Sequence, residues 1–260
     1  MNKKKKLKPS SSYFLTQRFW RILRNFIGRR TWSYLYSISQ RLKINSNLKI
    51  LNNINKDILP NLNYPKITKF SRSNKNFSFF LEKYNSSKPH GAYRNFLDQL
   101  LKKINVPKTI LELGISEGAG ILALKDFFKN SYLWGLDIDK NTFIKDRRIV
   151  SGYCDQLNLL SIKIILKNFN TKYDLIIDDG WHHPESQINS IIACLPYLNK
   201  GGYYLTEDIV HDVYKKYFLK IIKILKNKGF EVKYKKFFVK KSENLAGSIS
   251  NGYLLIHRNH

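Results

Sequence analysis

Cysteine is scarce in this chain of 260 residues, which contains only Cys154 and Cys194. Their spacing fits neither a zinc motif nor the disulfide framework of a small secreted domain. Long apolar runs are also missing, since no stretch approaches the roughly 18 consecutive apolar residues that a membrane-spanning helix requires. The basic start of the chain is not followed by an uninterrupted apolar core. We therefore expect a cytoplasmic protein with two reduced thiols.

Acidic residues are also few. The chain has 19 Asp and Glu against 46 Lys and Arg, which gives a formal net charge of +27. Such a charge is typical of proteins that bind nucleic acid or an anionic membrane. The basic residues are scattered along the chain, however, and Lys, Asn and Ile are all abundant, as AT-rich codon usage produces. Codon usage is therefore the explanation we favour, and nucleic-acid binding is the alternative.

The chain divides into two parts of different pattern, a basic, aromatic-rich extension and linker over residues 1–75 and a regular domain over residues 76–260. In residues 13–42 apolar residues recur at three- and four-residue steps among arginines, which predicts an amphipathic helix. This helix could pack on the domain or on a second subunit, or it could lie in a membrane interface at the inner face. Residues 43–75 are rich in Asn and Lys and indicate a linker with short elements.

The domain alternates strand and helix patterns, which is typical of a mostly parallel sheet with helices on both faces. The pattern predicts a Rossmann-like α/β fold with a central seven-stranded sheet and an α-helical N-terminal extension. The predicted strands cover residues 109–113, 132–137, 148–153, 174–178, 202–207, 230–238 and 253–257. The predicted helices cover residues 77–84, 92–104, 118–129, 141–145, 157–168, 185–198 and 211–228.

A glycine-containing turn follows the first of these strands. Gly114, Gly118 and Gly120 allow the backbone to approach a ligand closely, and the next helix begins there. Their spacing does not fit the G-x-G-x-x-G fingerprint of NAD-binding domains. An acidic residue, Glu112, stands two positions before Gly114.

Two further acids follow successive strands. Asp137 ends the strand about 20 residues after the glycine turn, where a carboxylate can accept both ribose hydroxyls of a nucleoside. Asp155 comes just after the next strand and suits a base or an amino group. Each acid alone could be a helix N-cap. Because ligands bind at the carboxyl ends of parallel strands, the three acids in register indicate a binding site.

The richest cluster is Asp178-Asp179-Gly180-Trp181-His182-His183, directly after an apolar strand, and the next strand ends in Glu207-Asp208. Neighbouring parallel strands bring these clusters side by side, where several carboxylates repel one another unless a cation or protons offset them. Oxygen ligands suit Mg²⁺, Mn²⁺ or Ca²⁺ better than zinc. A neighbouring histidine suits removal of a proton from a substrate hydroxyl.

The motifs together resemble a known family. The order E-L-G-x-x-x-G, G-x-D-I-D, D-Q, D-L-I-I-D-D-G-x-H-H and G-G-Y-Y-x-x-E-D is similar to that of the class I S-adenosylmethionine-dependent O-methyltransferases. Within them it resembles the macrocin and mycinamicin sugar O-methyltransferase group, whose relatives include proteins labelled cephalosporin hydroxylase. The resemblance covers roughly residues 80–258 and includes the segment 83–93. Ser116 and Trp181 depart from the family pattern, and Trp181 leaves the acceptor open.

The resemblance implies S-adenosylmethionine and Mg²⁺, or another divalent cation, as cofactors. The cofactor-binding residues that it implies are Glu112, Gly114, Gly118, Asp137, Asp155, Gln156 and Asp178. The metal ligands that it implies are Asp179, Glu207 and Asp208, and His182 is the implied general base. In this scheme the metal orients a sugar hydroxyl and lowers its pKa, and the alkoxide attacks the sulfonium methyl in line.

The sequence therefore predicts a metal-dependent O-methyltransferase that acts on a sugar, a glycan or a glycosylated small molecule. It leaves a monomer and a homo-oligomer both open. One alternative is a methyltransferase that acts on nucleic acid, although no Asn-Pro-Pro-Tyr type motif stands at the Asp178-Asp179 segment. A second alternative is a non-catalytic, membrane-associated protein that retains a degenerate methyltransferase fold. The intact acid and histidine cluster disfavours this last interpretation.

Overall fold

A computed structural model of the chain describes residues 42–51, 69–88, 90–209, 215–237 and 252–259. The described helices are α1 (42–51), α2 (Phe77–Lys83), α3 (Ala92–Lys103), α4 (Ala119–Phe127), α5 (Leu159–Phe169), α6 (Pro184–Cys194) and α7 (Lys215–Asn227). The strands are β1 (Ser71–Arg72), β2 (Thr109–Leu113), β3 (Phe128–Lys129), β4 (Tyr132–Asp137), β5 (Ile149–Tyr153), β6 (Tyr173–Asp178), β7 (Leu198–Thr206), β8 (Phe230–Lys236) and β9 (Gly252–Arg258).

Seven of the described strands form one sheet in the order β5-β4-β2-β6-β7-β9-β8. The pairs from β5 to β7 are parallel, and β9 runs antiparallel to both of its neighbours. The predicted seven-stranded, mostly parallel sheet is thus confirmed. The chain builds outward from β2 to β4 and β5, then returns to β6 on the other side. The carboxyl ends of β2 and β6 therefore flank the switch point, where open α/β sheets bind their ligands.

Both faces of the sheet are covered by helices, because alternate residues of a strand point to opposite faces. In β2, Leu111 and Leu113 join a core with α1, α5, α6 and α7, while Ile110 joins a second core with α2, α3 and α4. All five residues of β2 are buried. A central parallel strand covered on both faces is expected to be apolar throughout, as this strand nearly is.

Helix α1 packs on the outside of α6. Ile44, Leu48 and Leu51 are buried in the first core. At its polar edge, the amide of Asn47 donates to Asn189 Oδ1 at 2.7 Å. With α1 in place, every residue of α6 is buried. Part of the segment predicted as a linker is therefore a helix that belongs to the packed domain.

Some element predictions differ from the structure. The helix predicted at residues 141–145 is wrong, since only a three-residue 3₁₀ helix, Lys140–Thr142, forms there. The Asp139 carboxylate caps the start of this turn, accepting from the backbone and side chain of Asn141. The turn ends at Phe143, which is extended, and the Ile144 backbone N–H donates to Ser151 Oγ instead of continuing a helix. The amphipathic helix predicted at residues 13–42 lies outside the described residues, apart from Leu42. No helix in the described segments combines the length and apolarity needed to cross a membrane.

Candidate functional site

The glycine turn after β2 forms the floor of the site. Gly114 has φ +82°, and an added Cβ there would stand 2.3 Å from Gly180 Cα and 2.6 Å from the Asp179 carbonyl oxygen. The loops after β2 and β6 are therefore in direct backbone contact, which only glycine at this position permits. Gly118, also at positive φ, is the N-cap of α4, and no side chain caps that helix. The free N–H groups of its first turn favour polar or anionic ligand groups.

Asp137, at the end of β4, is held beside this turn. One carboxylate oxygen accepts from the Ser116 backbone N–H and the other from the Asp139 backbone N–H, both at 2.9 Å. The side chain of Asp137 is half-buried. The carboxylate is thus fixed in orientation, and its two oxygens can accept more hydrogen bonds than these two. Its role in binding ribose stays a prediction.

Asp155, Gln156 and Asp178 make hydrogen bonds in and between the loops around the site. Asp155 accepts from the Leu157 backbone N–H at 3.0 Å within the loop, and the N-cap of α5 is Asn158, not Asp155. The Gln156 amide donates to Asp178 at 2.7 Å, and its oxygen accepts from the Trp181 backbone N–H at 2.7 Å. Burial raises the pKa of Asp178 to about 6, against the opposing effect of its hydrogen bonds to Gln156 and Tyr204. These contacts fix the turn after β6, and a direct role of the three residues in cofactor binding stays a prediction.

An ammonium group occupies the inner part of the acid cluster. The Nζ of Lys88 lies 2.6 Å from Asp179 Oδ2 and 2.5 Å from Glu207 Oε2, and the lysine is only 8% exposed. Burial alone would lower the pKa of Lys88, but the carboxylates of Asp179, Glu207 and Glu112 more than offset this effect and raise it. Lys88 is therefore a permanent cation inside the site.

Glu112 lies next to this group with one oxygen buried and without a hydrogen-bond partner among the described residues. Burial, followed by repulsion from Asp179 and Glu207, raises its pKa to about 8, although Lys88 acts in the opposite direction. Burial raises the pKa of Glu207 as well. One ammonium thus lies among three carboxyl groups, and burial raises the pKa of two of them, Glu112 and Glu207.

The outer part of the cluster has the donors of a metal site. One ligand atom each from Asp179, His182 and Asp208 can be chosen so that all three lie within 4.8 Å of one another. His182 Nε2 is 3.6 Å from Asp208 Oδ2. Burial and the neighbouring Asp179 raise the pKa of Asp208, while His182 lowers it. Two carboxylates and an imidazole fit a divalent cation such as Mg²⁺ or Mn²⁺.

These groups border one cavity of about 520 Å³, a size typical of cofactor sites. The predicted site residues that line it are Glu112, Gly114, Asp179, His182 and Asp208. Six other predicted site residues do not line it: Gly118, Asp137, Asp155, Gln156, Asp178 and Glu207. Two of these contact the loops that border the cavity, since Asp137 accepts from the Ser116 backbone N–H and Gln156 accepts from the Trp181 backbone N–H in the turn after β6.

Sequence reasoning missed the contribution of the loop before α3. Asn85, Ser86, Ser87 and Lys88 all line the cavity. The buried Arg94 holds this loop, donating to the carbonyl oxygens of Lys88 and Ser86 at 3.1 Å each. The only signal in the sequence was the similarity of segment 83–93 to the family, which gave Lys88 no role.

The relatives of this chain include named sugar O-methyltransferases. No protein-family model matches the chain. Demethylmacrocin O-methyltransferase of Streptomyces fradiae is 31% identical over 107 residues, 38% of this chain and 27% of the relative. Mycinamicin VI 2''-O-methyltransferase of Micromonospora griseorubida is 29% identical over 123 residues, 45% of this chain and 30% of the relative. The matches thus span less than a third of these relatives' length. The resemblance read from the motifs is confirmed.

Comparison with solved structures identifies the fold. MycE methyltransferase from the mycinamycin biosynthetic pathway, in complex with Mg and SAH, has a TM-score of 0.55 at 18% identity, covering 73% of this chain and 56% of MycE. The fold is that of a Rossmann-like methyltransferase. An O-methyltransferase from Bacillus cereus in complex with SAH has a TM-score of 0.51 at 12% identity, covering 70% of this chain and 90% of that protein. This methyltransferase fold carries the cavity at its switch point.

Proposed function

We propose that this protein is an S-adenosylmethionine-dependent O-methyltransferase that uses a divalent cation and methylates a hydroxyl of a sugar or a glycosylated small molecule. The observation that carries the proposal is the meeting of Asp179, His182 and Asp208 on a cavity whose floor is the glycine turn of a methyltransferase fold. The named activities of the curated relatives support the acceptor class.

On the cofactor side, S-adenosylmethionine supplies the methyl group. Gly114 lets the turn lie against the loop after β6, and the start of α4 at Gly118 would offer N–H donors to the carboxylate of the cofactor. Asp137 accepts hydrogen bonds from the ribose hydroxyls, since Ser116 and Asp139 already hold its carboxylate in place. These residues bind and orient the cofactor without taking part in proton transfer.

On the acceptor side, Asp179 and Asp208 would hold the cation, which lowers the pKa of a bound hydroxyl when present. His182 is 38% exposed and adjoins Asp208, so its imidazole can accept the hydroxyl proton while the carboxylate stabilises the imidazolium. Glu207 was predicted as a third ligand of the cation. Its carboxylate is already paired with the ammonium of Lys88. Alignment of the hydroxyl with the methyl group supplies much of the rate enhancement.

Trp181 offers a surface for the acceptor. It stands between two residues that line the cavity, Gly180 and His182, and is 59% exposed. An indole face beside a polar site is suited to stacking against a sugar ring, whose C–H groups are apolar. One relative is named for a rhamnosyl acceptor, 8-demethyl-8-alpha-L-rhamnosyl tetracenomycin-C, which fits this interpretation.

The nucleic-acid alternative rested on the charge of the whole chain, and the named relatives favour a sugar acceptor over it. The contact of residues 13–42 with lipid, with a second subunit or with the domain stays a prediction. The packing of α1 on α6 brings the end of that segment to the domain surface.

Calorimetric titration with S-adenosylmethionine tests the cofactor. We expect saturable binding by the wild type and a loss of affinity on the order of tenfold to a hundredfold in Asp137→Ala, because hydrogen bonds to a charged group are removed. Asp139→Ala is the matched control, since it removes an exposed carboxylate of the same loop, and its affinity should stay within about twofold of the wild type. A folded wild type that binds no S-adenosylmethionine would overturn the proposal.

A further inference from the structure

Lys88 is the strongest unexplained feature of the site. Its side chain crosses from the loop before α3 into the acid cluster and contacts two of the three residues predicted to bind metal, Asp179 and Glu207. The backbone of Lys88 is held in place as well, because the buried Arg94 donates to its carbonyl oxygen. A lysine so buried requires an opposite charge, since an unpaired ammonium in the interior is strongly unfavourable.

Lys88 and a divalent cation would draw on the same oxygens. Asp179 belongs both to the inner contact with Lys88 and to the outer group with His182 and Asp208. Glu207 Oε2 is engaged by the ammonium at 2.5 Å, and Glu207 is not part of the outer group. Positive charges within a few ångströms repel each other strongly in a partly buried site. An ion that enters the site therefore competes with Lys88 for Asp179 and Glu207.

We propose that Lys88 is a tethered cation that competes with the divalent metal and keeps Glu207 out of its ligand shell. The metal then binds at the outer position with Asp179 and Asp208, beside His182, and it can take Glu207 only when the loop of residues 85–88 lifts Lys88 away. Lys88 acts through these acids and is a positioning residue. The inference rests on the metal site of the proposed function. It predicts that Lys88 weakens the affinity of this site for the divalent cation, and that this affinity depends on the position of the loop of residues 85–88.

The test is a titration of the full-length protein with Mn²⁺ alone, followed by calorimetry, for the wild type and Lys88→Met. Methionine has a similar length and no charge, so the competitor is removed while the space stays filled. We expect Lys88→Met to bind Mn²⁺ at least about tenfold more tightly. Without metal the variant should melt about 5–10 °C lower, because buried carboxylates lose their counter-ion, and saturating Mn²⁺ should restore most of this loss.

Two controls separate competition from general effects. Lys88→Arg keeps the charge and should retain the weak affinity of the wild type. Lys83→Met removes an ammonium that contacts Asp126 at 2.6 Å on the surface, away from the cavity, and should leave Mn²⁺ affinity unchanged. If Lys88→Met does not fold without metal, Lys88→Gln replaces it, because the amide still donates to one carboxylate while the charge is gone.

Equal or weaker Mn²⁺ binding in Lys88→Met or Lys88→Gln would overturn the proposal, as would tighter binding in Lys88→Arg. Absence of Mn²⁺ binding in every protein would also overturn it, because freed carboxylates are expected to take up the ion. The titration contains no S-adenosylmethionine. A failure of the proposed methyltransferase function would therefore appear in the cofactor titration and leave the metal result readable.

Discussion

The two ends of strand β6 carry acidic residues in opposite situations. At the amino end, Asp174 accepts from the Lys108 and Thr109 backbone N–H groups, the Thr109 hydroxyl and the Asn199 amide, at 2.7–3.3 Å. At the carboxyl end, Asp179 faces other carboxylates and is balanced by the ammonium of Lys88. Neutral donors suffice at the first end, whereas the second end requires a cation.

The difference separates acids that hold the fold from acids that do chemistry. A carboxylate surrounded by backbone and side-chain donors is stabilised in place and joins the strands on either side. Carboxylates that repel one another cost stability, and proteins keep such groups where a ligand or a reaction uses them. Changes at the amino end of β6 should therefore affect folding, and changes at the carboxyl end should affect binding and catalysis.

The largest effect is expected at the carboxyl end, in His182→Gln. Removal of a general base lowers the rate by about a thousandfold, because the acceptor hydroxyl loses its proton acceptor. The measurement is transfer of labelled methyl from S-adenosylmethionine to a panel of glycosides in the presence of Mg²⁺. Affinities for S-adenosylmethionine and Mn²⁺ are measured in parallel and should stay within about twofold if the imidazole acts on the proton alone.

His257→Gln is the control for this substitution. His257 stacks on Tyr203 in the antiparallel part of the sheet and is not among the residues that line the cavity, so the variant should keep wild-type activity. If His182→Gln lost Mn²⁺ affinity in step with activity, the imidazole would be a metal ligand and its assignment as the base would be wrong.

The next effect belongs to the amino end. Asp174→Ala leaves four donors without their acceptor and should lower the free energy of unfolding by about 2–3 kcal/mol. Urea denaturation followed by circular dichroism measures this loss, and S-adenosylmethionine affinity of the folded variant should not change. The matched substitution at the other end, Asp208→Ala, should cost less than about 1 kcal/mol and weaken Mn²⁺ binding instead. A larger loss of stability in Asp208→Ala than in Asp174→Ala, with Mn²⁺ affinity unchanged in Asp208→Ala, would contradict the comparison.

The smallest effect is a pH dependence at Glu112. Its pKa is raised from 4.5 to about 8, so the folded protein holds a proton that the unfolded chain has already released over this range. Stability should therefore fall as pH rises from about 4.5 towards 8. Glu112→Gln cannot ionise, so we expect it to reduce this dependence and to be more stable than the wild type at pH 8, while Glu207, whose pKa is raised in the same way, keeps part of the dependence. Parallel melting curves of the two proteins across this range would contradict the raised pKa.

Most of the sheet could be predicted from the sequence, because its central strands are apolar runs bounded by turn residues. The strands predicted at residues 109–113 and 132–137 have the same bounds in the structure. The position of the site at one edge of the sheet could also be predicted, because parallel pairing brings the carboxyl ends of β2, β6 and β7 together. The prediction at residues 141–145 failed because Phe143 is extended and the Ile144 backbone N–H donates to Ser151 Oγ, a contact that periodicity does not show.

Lys88 could not be predicted for a different reason. A lysine in a serine-rich loop is ordinarily solvated, and its burial here depends on partners 91 and 119 positions further along the chain. Likewise, the family resemblance implied Asp178 and Gln156 as cofactor residues, and only the fold brings the Gln156 amide between Asp178 and the Trp181 backbone. Such long-range polar contacts are set by the tertiary structure.

A crystal structure of the protein grown with SAH and Mn²⁺, with anomalous diffraction at the manganese edge, tests the central claim most directly. The account predicts SAH over the glycine turn with its ribose on Asp137, and one manganese peak beside Asp179 and Asp208. SAH bound elsewhere, or a cavity that takes neither SAH nor manganese from crystals of the folded protein, would contradict it.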